Sequence, residues 1–440
     1  MASPQTYYSR TLTDATSRPP LTGSIETDTV IIGGGLAGLT TALELAREGI
    51  PVVVLDSESL GFGASGRNGG IVSPAFACGG DAIAARVGAE AARALHRLTI
   101  EGVQRLRANI DSLGITGADP VPGLLNLRRF DQAKDLHHYA ADFEKHYGYA
   151  FTYMNRAEIS ERLVTNRYLH GLEDKQAFHI HPLNYLRALA CEVERLGGRI
   201  FEASPAVGCD FATTKTIRTP SGQVRAKRAV FATGGYTGPL IPRLKRAVLP
   251  IATYMMLTEP APDLLAQTIR TRAAILDDRR ASDYYRLVDN GNRLLWGGRI
   301  TTRAANPDTI ARDLRAAILE VYPQLAPLKT DLAWSGQMAY ARHLMPQLGL
   351  LHPDVWHITA FGGHGLNTTA ITGKILAEAI LGQSDRIQMF APYPLNWAGG
   401  AIGLAVAQLT YWGLQAQDKW REGQAFSSVH KYPTGGSGGM

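Results

Sequence analysis

The chain is poor in cysteine, in long apolar runs and in concentrated charge. Its three cysteines, Cys78, Cys191 and Cys209, show no metal-ligand spacing. That excludes a disulfide scaffold or a zinc ribbon and suits a reducing compartment, so a cytoplasmic protein is expected. His179-Ile-His181 has no third ligand nearby, so no metal is expected. No apolar run reaches about 18 residues, so no membrane span is expected either. The first residues are polar and broken by Pro19-Pro20, unlike a secretory signal. The net charge of +6 is mildly basic, but the arginines are scattered. Their densest cluster, Arg243-Leu-Lys-Arg246, reads as a solvated loop, and nucleic acid is not expected as a partner. There are no evident repeats and no Ser/His/Asp constellation. What remains is an ordinary globular composition over 440 residues, enough for two domains with full cores.

Residues 29–38 read Thr29-Val-Ile-Ile-Gly33-Gly-Gly35-Leu-Ala-Gly38, and Asp56 follows Pro51-Val-Val-Val-Leu55. The pattern is a strand, a glycine turn, an amphipathic helix over Leu39–Glu48 and a second strand ending in an acid. Gly33 permits the tight turn, Gly35 lets a pyrophosphate approach the backbone, and Gly38 lets the helix pack closely. The helix N-terminus turns free N–H groups and a positive dipole end toward phosphate. Asp56 can accept hydrogen bonds from both ribose hydroxyls and would repel a 2′-phosphate. A lone GxGxxG is weak, but in this setting it marks a dinucleotide site.

Two later glycine-rich segments bear on which dinucleotide it is. Gly61-Phe-Gly-Ala-Ser65-Gly-Arg67-Asn68-Gly69-Gly70 starts five residues after Asp56, where a nicotinamide domain would run into another helix. Its small residues let backbone lie flat against an extended ligand. Phe361-Gly-Gly-His364-Gly-Leu-Asn367 precedes the helix-like stretch Thr368–Leu381. A second helix entry of this kind can aim N–H groups at the electron-rich carbonyl of a flavin.

Further segments run in order with these over nearly the whole chain. They are Arg18-Pro-Pro-Leu21, His181-Pro-Leu-Asn184, Ala232-Thr-Gly-Gly-Tyr236, Thr258-Glu-Pro260, Asp283-Tyr-Tyr-Arg286 and Trp397-Ala-Gly-Gly400. Together the set resembles the D-amino-acid-oxidase-type FAD amine oxidases, and within them the γ-glutamylputrescine oxidase branch. The resemblance implies an α/β fold (α+β overall), with a discontinuous Rossmann-like FAD-binding domain and an antiparallel-sheet substrate domain. Residues 25–80, 165–240 and 335–385 are expected in the FAD domain, and 81–164 and 241–334 in the substrate domain. Residues 386–425 would be a C-terminal helical extension, with polar tails at 1–24 and 426–440.

The resemblance also implies the site. FAD contacts are carried onto Gly33, Gly35, Leu36, Ala37, Gly38, Asp56 and Ser57 in the first unit. The next loop supplies Gly63, Ala64, Ser65, Gly66, Arg67, Asn68, Gly69 and Gly70. Val207 would meet the adenine through its backbone, and Ala232, Thr233, Gly234 and Gly235 would pass the phosphates. Gly362, Gly363, His364, Gly365, Leu366 and Asn367 complete the set. The implied reaction oxidises the C–N bond of a primary or secondary amine by hydride transfer to flavin N5. The imine hydrolyses to an aldehyde, and O2 becomes hydrogen peroxide. An amine or amino-acid dehydrogenase using a quinone or carrier stays open, as does a flavin-binding protein without turnover.

Candidate catalytic residues are Arg67, Asn68, Tyr284, Tyr285, Arg299 and His364. Arg67 and Asn68 can steady flavin or substrate, or merely brace their loop. Tyr284 and Tyr285 can wall an amine by cation–π attraction, or fill a core. Trp296, Trp334 and Tyr340 are weaker candidates of the same kind. Three departures from sarcosine oxidases matter. Gln337 replaces the cysteine bonded to FAD, so non-covalent FAD is expected. Asn367 replaces the lysine that grips a substrate carboxylate, which favours an amine. Arg299 is the nearest cation by register to help oxygen accept electrons. Finally, Trp397 to Trp420 reads as a helix docked on the protein's own surface in preference to one lying on a membrane, because Gln408, Gln415, Gln417 and Asp418 fit a half-buried face better than a lipid-facing one. A homo-oligomer contact stays open, and residues 434–440 read as a flexible tail.

Overall fold

The computed structural model describes residues 5–279, 283–303 and 305–429, with side chains described to residue 422 in the last helix. The tail read over 434–440 lies outside the described residues.

The apolar runs at residues 29–32 and 52–55 are buried along their whole length. Such runs suit parallel strands covered on both faces. Strand Gly23–Ile32 pairs in parallel with Val52–Leu55 on one side and Gly222–Phe231 on the other. Arg199–Phe201 and Val355–Thr359 extend this sheet in parallel, and Gln347–His352 closes it antiparallel. Helix Leu36–Arg47 leaves the first strand and packs against Pro182–Arg195 and Gly365–Ile380. Three distant stretches of chain therefore build one nucleotide-binding layer.

The second sheet runs in the order Thr330–Tyr340, Leu249–Thr258, Arg293–Thr301, Tyr284–Val288, Ala274–Asp277, Val121–Arg128, His170–His179 and Ile71–Val72. Its pairs are antiparallel except Ala274–Asp277 with Val121–Arg128. Behind it, Trp296, Tyr285, Tyr322 and Leu314 form a core of their own. A buried ion cluster ties the ends of its central strands Ala274–Asp277 and Val121–Arg128: Arg129 donates to Asp277 at 2.6 Å, and Arg279 pairs with Asp283.

The structure departs from the layout expected from sequence in seven places. Residues 170–179, 71–72 and 335–340 are strands of the second sheet, not parts of the FAD layer. Helix Ala89–Ser112 buries Leu95, Leu98, Val103, Leu106 and Ile110 against Gly365–Ile380, so it belongs with the nucleotide core. Residues 5–24 are no polar tail, because helix Tyr7–Arg10 buries Tyr8 completely. The basic cluster Arg243–Arg246 lies on helix Pro242–Ala247 instead of a loop. Helix Gly400–Val429 runs past 425. Local periodicity reveals a strand or helix but not its pairing partner, which is set by contacts far away in sequence.

Candidate active site

At the end of strand Gly23–Ile32 the chain turns through Gly33, at φ +115. A Cβ there would stand 2.4 Å from the Ala232 carbonyl oxygen. A Cβ on Gly38 would stand 2.0 Å from the Gly33 carbonyl oxygen. Glycine is therefore the residue that lets helix Leu36–Arg47 start this close to the turn. Gly34 N donates to Asp56 Oδ2 at 2.7 Å, and Leu36 N donates to Ser65 Oγ at 3.0 Å. Burial pushes the Asp56 carboxyl up to about 6; the Glu58 and Gly34 N–H groups oppose this, and Glu202 and Glu58 add to it.

The loop 61–70 lies across this turn and is held from behind. Asn68 Nδ2 donates to the Ala64 and Ser65 carbonyls at 3.0 and 2.9 Å, and its Oδ1 accepts from Gly70 N. Its amide therefore braces the loop. Trp334 Nε1 donates to the Arg67 carbonyl at 3.1 Å, and Tyr8 Oη to the Asn68 carbonyl at 2.7 Å. Arg286, 4% exposed, donates to the Gly69 and Ile180 carbonyls, to Tyr8 Oη and to His179 Nδ1. All four partners are neutral groups, since burial and the Arg286 charge hold His179 well below its usual pKa. His181 instead caps helix Pro182–Arg195 through Nδ1, and its Nε2 meets Thr11. Sequence reasoning missed Tyr8 and the role of Arg286; an arginine inside an apolar strand was the available signal.

Turn, loop and second sheet enclose a cavity of about 1330 Å³. That exceeds the roughly 300–1,000 Å³ of a pocket for one drug-sized ligand and leaves room for a dinucleotide with a substrate. Of the expected FAD contacts, all but Gly38 and Gly66 line it. Those two pack backbone on backbone, Gly66 against the Gly61 carbonyl. The cradle fits FAD: glycine backbone and two helix N-termini for the phosphates and ring carbonyl, and Asp56 for ribose.

The candidate catalytic residues divide. Tyr284 lines the cavity with its ring over Gly69 and Gly297, and its hydroxyl lies 3.0 Å from Thr253 Oγ1. Burial pushes that phenol up to about 12. Tyr285 points the other way, stacked on Trp296 at 4.0 Å and hydrogen-bonded to Tyr168 and Tyr322. Adjacent strand residues face opposite sides, so only one of the pair can reach the cavity. Arg299 is also misplaced. It is the extra residue of a bulge, at φ +58, between Gly298 and Ile300. The bulge turns it toward Tyr254 and out of the lining.

Arg67 lines the cavity with its guanidinium 4.4 Å from the Phe62 ring centroid and Nη1 donating to the Ser335 carbonyl. Burial lowers its pKa, while Tyr236 and Glu58 raise it. His364 opens helix Gly365–Ile380; burial lowers its imidazole to about 4, and buried Nδ1 has no hydrogen-bond partner. Asn367 lines the cavity, yet its Nδ2 donates to the Ala75 carbonyl. Gln337, Met338 and Tyr340 complete the wall beside Tyr284, while Trp296 is absent from it. Tyr411 and Leu414 reach in from the C-terminal helix, a contribution that no sequence signal announced.

The family model described as FAD dependent oxidoreductase (DAO) matches residues 28–379. Gamma-glutamylputrescine oxidoreductase of Escherichia coli (strain K12) is 32% identical over 391 residues, covering 88% of this chain and 91% of that protein. A probable oxidoreductase OrdL of Haemophilus influenzae is 33% identical over 389 residues, covering 84% and 87%. Among solved structures, glycine oxidase from Geobacillus kaustophilus superposes with a TM-score of 0.70 at 19% identity, covering 84% of this chain and 98% of its own. At that identity the likeness shows the fold alone.

Proposed function

The chain belongs to the FAD dependent oxidoreductase family of the DAO type, and from that premise we propose that it oxidises a γ-glutamylputrescine-like amine. It is an FAD-dependent oxidoreductase acting on amine or amino-acid C–N bonds, with FAD held non-covalently. Bound FAD supplies the two-electron acceptor. In the proposed reaction the substrate's C–H bond breaks as its nitrogen lone pair forms the C=N bond. Water then hydrolyses the imine to an aldehyde, releasing ammonia from a primary amine or a smaller amine from a secondary one, and O2 takes the two electrons and two protons as hydrogen peroxide.

The chain's own part is to place the amine and keep water away. One observation carries the choice of amine over α-amino acid. Asp56, Glu58 and Arg67 are the charged side chains among the described lining residues, His364 being neutral near pH 7. Arg67 lies over Phe62, within electrostatic reach of Tyr236 and Glu58. The wall of Tyr284, Tyr340, Tyr411, Thr253 and Gln337 thus offers hydroxyls, an amide and aromatic faces, and none of these five is a cation for a carboxylate beside the reacting carbon. An ammonium meets aromatic faces favourably, whereas a carboxylate stripped of water would lack a partner.

The same wall favours a second reading as to acceptor. With Arg299 turned away, Arg67 is the one cation among the described lining residues, which suits a dehydrogenase that delivers electrons to a quinone or carrier.

Mixing the holoenzyme with γ-glutamylputrescine under argon is expected to bleach the flavin band, and air is expected to restore it within the turnover time. A band that never bleaches rejects this substrate. One that bleaches but returns slowly assigns the dehydrogenase reading.

A further inference from the structure

Helix Gly400–Val429 packs with the wrong side out for a helix that meets only water. Its packed side buries polar groups beside Tyr411 and Leu414. Gln408 Oε1 accepts from Thr301 Oγ1 and from Thr302 N and Oγ1, at 2.9 to 3.1 Å. Asp418 is buried, and Glu422 pairs with Arg129 at 3.4 Å. The outward side is apolar: Ile402, Val406, Leu409, Trp412 and Trp420 are 51% to 70% exposed. Positions 402, 406, 409, 413, 416 and 420 advance by four and three, so they form one stripe along the helix. Exposed Trp397 extends it at the N-terminal end.

Cations frame this stripe. Helix Pro242–Ala247 abuts its start, where Ala398 N donates to the Arg246 carbonyl, and Arg243, Lys245 and Arg246 are exposed there. Arg303 lies 6.0 Å from the Trp412 ring, and Lys419 and Arg421 are exposed at the far end. Between residues 400 and 422 the acids are Asp418 and Glu422, both on the packed side.

We infer that this face docks on an anionic phospholipid surface, with the helix lying in the headgroup plane. Apolar residues then enter the interface, tryptophans sit at its polar boundary and the flanking cations meet lipid phosphates. Among the described residues no helix is long and apolar enough to cross a membrane, so the attachment is peripheral. Self-pairing fits less well. Two copies joined along this stripe would bring basic ends together, whether parallel or antiparallel. Tyr411 and Leu414 of the same helix line the cavity, so docking would hold the active-site wall beside the bilayer.

The test is co-sedimentation of the full-chain holoenzyme with phosphatidylglycerol–phosphatidylcholine vesicles and with phosphatidylcholine alone. Binding is expected to the anionic vesicles, weakened by salt. It should fall about tenfold or more in Val406→Glu/Leu409→Glu and in Arg243→Glu/Arg246→Glu. These side chains are exposed, and retained flavin absorbance confirms that each variant is folded. Absence of binding to anionic vesicles, or binding by both variants as tight as that of the unaltered protein, overturns the inference. So does a solution mass twice that of the chain which Val406→Glu/Leu409→Glu halves, because a second copy would then cover the face.

Discussion

Asp56 shows how one carboxylate ties cofactor to pH. Burial holds it near 6, and in the proposed FAD site ribose hydroxyls would donate to its ionised form. FAD affinity of the apoprotein should therefore be full above pH about 6. Below that it should fall, by at most tenfold per pH unit, until the pKa of the FAD-bound form is passed. Fluorescence titration of FAD measures this. Asp56→Asn should remove the dependence, and Asp56→Ala should weaken binding about 10–100-fold while turnover survives in excess FAD. A pH-independent wild type would sink the ribose assignment. Asp56 was legible in the sequence because its spacing from the glycine turn is a local property. Tyr285 and Arg299 were not placed correctly, since strand phase and a one-residue bulge decide which way each side chain points.

At the scale of elements, the glycine turn and its helix form a unit whose fit depends on Gly38. A methyl there would meet the Gly33 carbonyl at 2.0 Å and Ile31 Cγ2 at 3.3 Å. Gly38→Ala should cost about 1–3 kcal/mol and lower FAD content with it. Thermal melting and flavin absorbance per protein read both effects. An unchanged melting point with full FAD content would mean the helix can shift freely. Elements of this kind could be read from periodicity, as the buried positions of Ala89–Ser112 show. Their grouping could not. That helix and strand His170–His179 each join the layer opposite to the one expected.

For the whole molecule, the cavity lies between two layers, each assembled from separate stretches of the chain. FAD held between them by hydrogen bonds and packing should leave when the layers separate. No cysteine is among the described lining residues, and Gln337 offers no thiol. Acid precipitation should give a colourless pellet and a yellow supernatant; a yellow pellet would mean a covalent bond elsewhere on the ring. The C-terminal helix closes the cavity with Tyr411 and Leu414, and it buries Gln408 and Asp418 while leaving Trp412 and Trp420 exposed.

By itself the sequence determined the cofactor class and the nucleotide turn, because both rest on residues adjacent in the chain or at fixed short spacing. It also marked the loop and the second helix entry that line the cavity. Only the tertiary structure decided which tyrosine lines the cavity, that Arg299 turns away, and that Tyr8 and Arg286 hold the loop from behind. Those outcomes depend on strand phase, a bulge and hydrogen bonds between residues up to 278 positions apart. Long-range pairing is settled by the collapsed chain as a whole, and no local pattern encodes it.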